Sequence, residues 1–198
     1  MSLGAPAVRL VLPTPGRLPG YVAALQRGWS PDNIRGAAAA REALEQIAID
    51  PSPIFAVADD PEAQGPQITT PDGSQRNRLP GLQRWIWDEE GDAEGFAGSI
   101  NLRWMKGHAP LPAFVLGHIG YTVVPWKRQR GYATQALAQL LLLARGHGLP
   151  FVELTTDADN GPSQRVITAN GGVLGEAFTK PAMYGGAASL RFRIELSN

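Results

Sequence analysis

The sequence predicts a mixed fold of the α/β or α+β class, a sheet of about seven strands with helices on both faces. Three observations predict it. Short β-rich runs are mixed with stretches of helical period along the 198 residues. A strongly apolar helix at 131–147 stands between strand-like runs, which makes a right-handed β-α-β crossover over 118–155. Hydrophobic residues make up 43% of the chain and charged residues 18%, a globular balance that can bury one core without disulfide or zinc staples. The length fits a single domain spanning 1–198.

The elements follow in order. Val8 to Leu12 is a β-rich run ended by Pro13, a first strand. Pro15 and Gly16 open a helix over 18–28. Ser30, Pro31 and Asp32 form a helix-start signal. The alanine-rich stretch 33–49 then carries Ile34, Ala38, Leu44 and Ile47 at helical spacing, and Asp50-Pro51 closes it. Residues 82–87 and 95–104 read as a hairpin around an acidic turn at 88–92, taken as solvated surface. A strand at 116–124 is interrupted by Gly117 and Gly120. The helix 131–147 sets Ala133, Leu137, Leu140, Leu141 and Ala144 on one face and ends at Gly146 and Gly148. A strand at 151–155, a short helix at 162–169 and strands at 173–178 and 189–196 complete the chain.

Between 51 and 81 the texture changes. Six prolines and three glycines interrupt any period. This is an irregular insertion, with one short strand expected at 54–57. Loops of this length in compact domains tend to be functional or disordered. It reads either as a surface excursion or as a lid or wall over a substrate cleft.

Composition excludes several function classes. Without cysteine there is no disulfide framework, no thiolate metal site and no Cys nucleophile. Three histidines with no His-x-x-x-His pair argue against a zinc site, so no metal is expected. A formal net charge of zero points to neither nucleic acid nor an anionic membrane as partner. The N-terminus lacks the pattern of a signal peptide, and no apolar stretch reaches the roughly 18 residues of a membrane span. A cytoplasmic protein, monomer or homodimer, is the expectation.

The segment that carries chemistry runs from Gly117 to Thr134. A strand enters the basic turn Lys127-Arg128-Gln129-Arg130, and Gly131-Tyr132-Ala133 opens the long helix. The first N–H groups of a helix lack intrahelical acceptors and sit at the positive end of its dipole. A glycine and a small residue let a phosphate approach that backbone closely. Lys127, Arg128 and Arg130 add positive charge beside it. The turn is neither a Walker A loop, because no Gly-Lys-Ser/Thr follows, nor the dinucleotide fingerprint Gly-x-Gly-x-x-Gly.

The run from Arg128 to Ala133 fits Arg/Gln-x-x-Gly-x-Gly/Ala and resembles the GNAT superfamily of acyl-CoA N-acyltransferases. Asn160 after the strand at 151–155, and the Asn170-Gly171-Gly172 stop, extend the resemblance over about 95–180 and toward a bacterial subgroup of predicted acetyltransferases. The resemblance implies a mostly antiparallel sheet, with residues 1–50 on the acceptor side. It also implies acetyl-CoA as co-substrate. Arg128, Gln129, Arg130, Gly131, Tyr132, Ala133 and Thr134 would cradle its pyrophosphate. Val123 and Val124 would offer backbone groups to the pantetheine arm, and Asn160 and Ser163 would lie near it. The implied reaction is direct attack of a primary amine, from a small molecule or a peptide, on the thioester. The alternative is a non-catalytic acyl-CoA-binding sensor or degenerate partner domain; release of CoA thiol with amines separates the two.

The resemblance has gaps. The tyrosine that many members carry on the short helix falls on Ile167 here. The glutamate of the strand before the turn falls near Gly117, beside His118, which is the candidate base. A catalytic His118 should open to an acceptor cavity, and a structural one should be buried and bonded to backbone. Trp85, Trp87, Trp104 and Tyr121 are candidates for an acceptor pocket or for the core. Arg103 is a candidate for an acceptor carboxylate or for a surface salt bridge. Trp126 is read as stacking on a base or covering the core edge.

Overall fold

The computed structural model describes residues 6–70, 73–90, 95–107 and 110–196. Strand β1 (Val8–Val11) leads through a 3-10 turn into α1 (Leu18–Gln26) and α2 (Ala37–Ile49). The insertion follows, with α3 (Ser52–Ala56) and the two-residue strands β2 (Asp59–Asp60), β3 (Ile68–Thr69) and β4 (Gln75–Arg76). Then come β5 (Gly81–Asp88), β6 (Phe96–Arg103), β7 (Ile119–Val123), α4 (Tyr132–Gly146), β8 (Phe151–Asp157), α5 (Gly161–Ala169), β9 (Val173–Thr179) and β10 (Ala188–Glu195).

The seven longer strands match the expected set, but they form two sheets. One runs β1-β5-β6-β7, with β2 on β5, and the other runs β8-β10-β9. Every pairing is antiparallel. Among the described residues no ladder joins β7 to β8. One end of the gap is closed by the His118 N–H, which donates to the Glu153 carbonyl at 2.7 Å. Gly117 makes that closure sterically feasible, because a Cβ there would lie 2.9 Å from the Glu153 oxygen.

Helices cover both faces. On one face α4 buries Tyr132, Ala136, Leu137, Leu140, Leu141 and Ala144 against Ile86, Ile100, Val152 and Phe192. Each fully buried leucine contributes roughly 1.5–3 kcal/mol. On the other face α1 and α2 pack on an aromatic cluster. Tyr21 stacks on Trp85 at 5.0 Å between ring centroids, and Trp29 and Phe96 meet edge to face at the same separation. Burial pushes the Tyr21 phenol up to about 12.

Three expectations need correction. Residues 54–57 are not a strand: Ser52 to Ala56 is helical, with Pro53 in its first turn where a missing N–H costs nothing. The second helix starts at Ala37, because Asp32 accepts the N–H groups of Ile34 and Arg35 and so caps a separate turn. The acidic turn at 88–92 falls partly outside the described residues, and its first member is not solvated: Asp88 is buried.

Candidate active site

The basic turn is built by backbone that few residues adopt. After β7, Pro125–Lys127 makes one 3-10 turn. Gln129 (φ 58°) and Gly131 (φ 88°) then lie in the left-handed region. For Gly131 this is the conformation that glycine enters without penalty, and a Cβ there would meet only Gln135 Nε2, at 3.9 Å. The open space faces the N-terminus of α4, which is 15 residues long. Arg128, Gln129 and Arg130 are exposed, and Ala133 and Thr134 are half-buried.

Not every basic residue of the turn faces out. Lys127 is buried, with Nζ 3.6 Å from Asp88 Oδ2. The Tyr132 hydroxyl donates to the same carboxylate. Tyr132 therefore presents its backbone, not its ring, to the turn. The expectation that Lys127 adds charge beside a phosphate gives way to an internal ion pair. Arg128 folds back so that Nε donates to the Val123 carbonyl at 3.1 Å. The Val124 N–H goes to the Ala97 carbonyl at 3.0 Å, and its side chain joins the aromatic cluster.

Across the gap, Asn160 caps α5, its Oδ1 accepting the Ser163 N–H at 3.2 Å. The Tyr121 hydroxyl lies 2.7 Å from Ser163 Oγ, so a phenol from β7 reaches the first turn of α5. Burial pushes the Tyr121 pKa up, and the Ser163 bond opposes that in part. Sequence reasoning placed Tyr121 among acceptor or core aromatics; its contact with Ser163, 42 residues on, has no local signal. Ile167, at the position where many family members carry a tyrosine by the resemblance, is buried core.

His118 lies at the closed end of the gap and is fully buried. Its Nδ1 accepts the Glu153 N–H at 3.0 Å, and its carbonyl accepts the Arg103 N–H at 2.9 Å. This is the placement expected of a structural histidine.

A cavity of about 430 Å³ adjoins that end. Its wall includes Ile119 and Gly120 beside Thr155 of β8, and Val57, Ile68 and Leu79 from the insertion. The irregular segment is thus a wall of the cavity. Asp60 braces it, its carboxylate accepting the Gln64 and Gly65 N–H groups at 2.7 and 3.0 Å. Trp85 and Trp104 lie in the core, the latter 4.5 Å from the His147 ring, and neither lines the cavity. Trp126 lies under Arg27, at 3.7 Å. No group of three or more His, Cys, Asp or Glu suited to a metal occurs among the described residues, and no helix there is long and apolar enough to cross a membrane.

Comparison with known proteins identifies the fold and the family. A search of curated proteins returns no match. Solved structures share the fold. The GNAT-family acetyltransferase from Bacillus anthracis is 13% identical, with TM-score 0.59 and full coverage of both chains. Mycobacterium smegmatis RimJ, in complex with CoA-disulfide, is 17% identical, with TM-score 0.57 over 96% of this chain and 83% of its own. RimL, a ribosomal L7/L12 alpha-N-protein acetyltransferase in complex with coenzyme A, is 12% identical, with TM-score 0.57 over 95% and 93%. A family model described as the acetyltransferase (GNAT) domain matches residues 35–173, a span that holds both the basic turn and the gap between β7 and β8, and the chain belongs to that family.

Proposed function

We propose that this protein is an acetyl-CoA-dependent N-acetyltransferase that passes the acetyl group to a primary amine by direct attack. The observation that carries the reading is the turn from Arg128 to Ala133, with Gln129 and Gly131 in left-handed backbone, opening α4 at the unpaired end of the gap. The pyrophosphate would sit on the first N–H groups of α4, where the dipole favours an anion. The pantetheine arm would follow β7 toward Gly120. From Val123 to Gly120 is about 10 Å of strand, which leads from the turn to the cavity. The coenzyme complexes of RimJ and RimL support this co-substrate.

Positioning thioester and amine together would supply most of the rate gain. The proton balance needs a donor to the departing thiolate. Tyr121, kept protonated by burial and held toward α5 by Ser163, fits that task. As the C–N bond forms and the C–S bond breaks, the phenol gives its proton to the thiolate and would regain one through solvent from the attacking amine, so that CoA leaves as the thiol. His118 is assigned instead to the joint between the two sheets. The test is acetyl-CoA binding by calorimetry, followed by thiol release with a panel of amines. Binding with release supports the reading; binding without release identifies a non-catalytic acyl-CoA binder.

A further inference from the structure

The cavity beside the gap contains a charge that the fold does not balance. Arg103 is the last residue of β6 and lines the cavity. Its guanidinium lies over Gly120, where a Cβ would be 3.3 Å from Nη2. Its Nε is buried without a hydrogen-bond partner. Among the described residues no carboxylate lies within ion-pair distance of it. Desolvation pushes its pKa down, yet a guanidinium keeps its proton at neutral pH. The residue is half-buried, and a guanidinium N–H taken out of water without an acceptor is destabilising.

The neighbouring cations are accounted for. Arg78 lies in the field of Asp60, Arg84 pairs with Asp59 at 3.4 Å, and Arg76 covers the Phe114 ring at 4.4 Å. Among the described residues Arg103 has neither a carboxylate partner nor a ring beneath it; the Tyr184 phenol is the neighbour that favours its charge. Beside it, the Asn101 amide reaches the same spot: the Gly120 Cβ position lies 3.5 Å from Oδ1 and 3.6 Å from Nδ2. The rest of the wall combines apolar side chains, among them Val57, Ile68, Leu79 and Phe114, with polar ones such as Gln83 and Thr155.

We infer that the cavity holds the acceptor by a carboxylate, which Arg103 takes in its guanidinium fork with Asn101 alongside, while the apolar side chains of the wall take a hydrocarbon or aromatic part of the same molecule. This rests on the acetyltransferase reading and names the acceptor class within it: amines that also carry a carboxylate, of amino-acid size. About 430 Å³ is the small end of the range for small-molecule sites. One unpaired cation balances one carboxylate. A phosphate dianion would exceed the one positive charge that Arg103 offers, because Arg78 of the same wall already lies in the field of Asp60.

The test is calorimetric titration of 3-phenylpropionate, 2-phenylethylamine and phenyl phosphate into the full chain and into Arg103→Met and Arg103→Lys. The wild type should bind 3-phenylpropionate more tightly than the other two. Arg103→Met should weaken that binding at least tenfold and should unfold at no lower temperature, since it removes an unbalanced charge. Arg103→Lys, which keeps the charge and loses the fork, should fall between them. It also reads the site by itself if the methionine variant does not fold. No binding of 3-phenylpropionate to the wild type, equal binding to the variants, or tighter binding of phenyl phosphate would overturn the assignment. Acetyl-CoA is titrated separately. Its failure to bind would sink the acetyltransferase reading, whereas the carboxylate result stands or falls on Arg103.

Discussion

The Nδ1 atom of His118 accepts the Glu153 N–H at 3.0 Å while the His118 N–H donates to the Glu153 carbonyl at 2.7 Å. Two bonds thus clamp the start of β7 to β8, and the strands part beyond them. One residue closes the gap at its base and leaves the rest of β7 without a partner on that side.

His118→Ala should therefore act on stability before catalysis. It leaves the buried Glu153 N–H unsatisfied, which costs about 1–3 kcal/mol, and adds a cavity term. Activity per folded molecule should stay within a few-fold of wild type. Denaturant titration and kcat, measured on the same preparation, check this. A stable variant with kcat lowered by about 10²-fold would restore His118 as the base.

Tyr121→Phe removes the hydroxyl that reaches Ser163 and leaves the ring in place. If the phenol protonates the departing thiolate, kcat should fall by about 10²-fold while KM for acetyl-CoA changes little. Ser163→Ala, which only orients the hydroxyl, should cost much less. Steady-state thiol release separates the two, and equal small effects would mean that water supplies the proton.

Asp88 and Lys127 form an internal pair beneath the basic turn. Asp88→Ala removes a carboxylate from beside a buried ammonium and the Tyr132 hydroxyl, and should destabilise the fold by up to about 3–5 kcal/mol. Acetyl-CoA affinity of the remaining folded fraction should change far less. Thermal unfolding with and without acetyl-CoA reads both.

Asp60 gives the cavity wall a pH dependence. The Gly65 and then the Gln64 N–H groups hold its carboxyl below the usual range. A depressed folded pKa adds stability above the unfolded value of about 3.9 and loses it as pH falls through the folded value. The wall should hold through neutral pH and loosen only below about pH 4. Asp60→Asn should loosen it at pH 7, seen as faster amide hydrogen exchange over 61–67 and unchanged exchange in α4.

Much of this was legible in the sequence. The leucine face of α4, the hairpin of β5 and β6 and the turn at Gly131 all carry local signatures. The break between the sheets does not, because a strand edge left unpaired has the same residues as a paired one. Gly117 interrupts the strand pattern, but the Glu153 backbone that it makes room for is 36 positions away. Lys127 read as a surface cation because Asp88 is remote in sequence. Residues 54–57 have β-type composition, and Pro53 at the head of α3 decided otherwise. Arg103 is a candidate from the sequence; the burial of its Nε without a partner has no sequence signal.

The central claim is that the turn at Gly131 holds the pyrophosphate of acetyl-CoA, and a titration of acetyl-CoA into wild type and Gly131→Glu tests it most directly. The substitution places a carboxylate at the anion site and forces a side chain onto left-handed backbone, at a position with open space around it. Wild type should bind acetyl-CoA. The folded variant should bind at least tenfold more weakly, about 1.4 kcal/mol, and release correspondingly less thiol. Equal affinity in a folded Gly131→Glu protein would contradict the account.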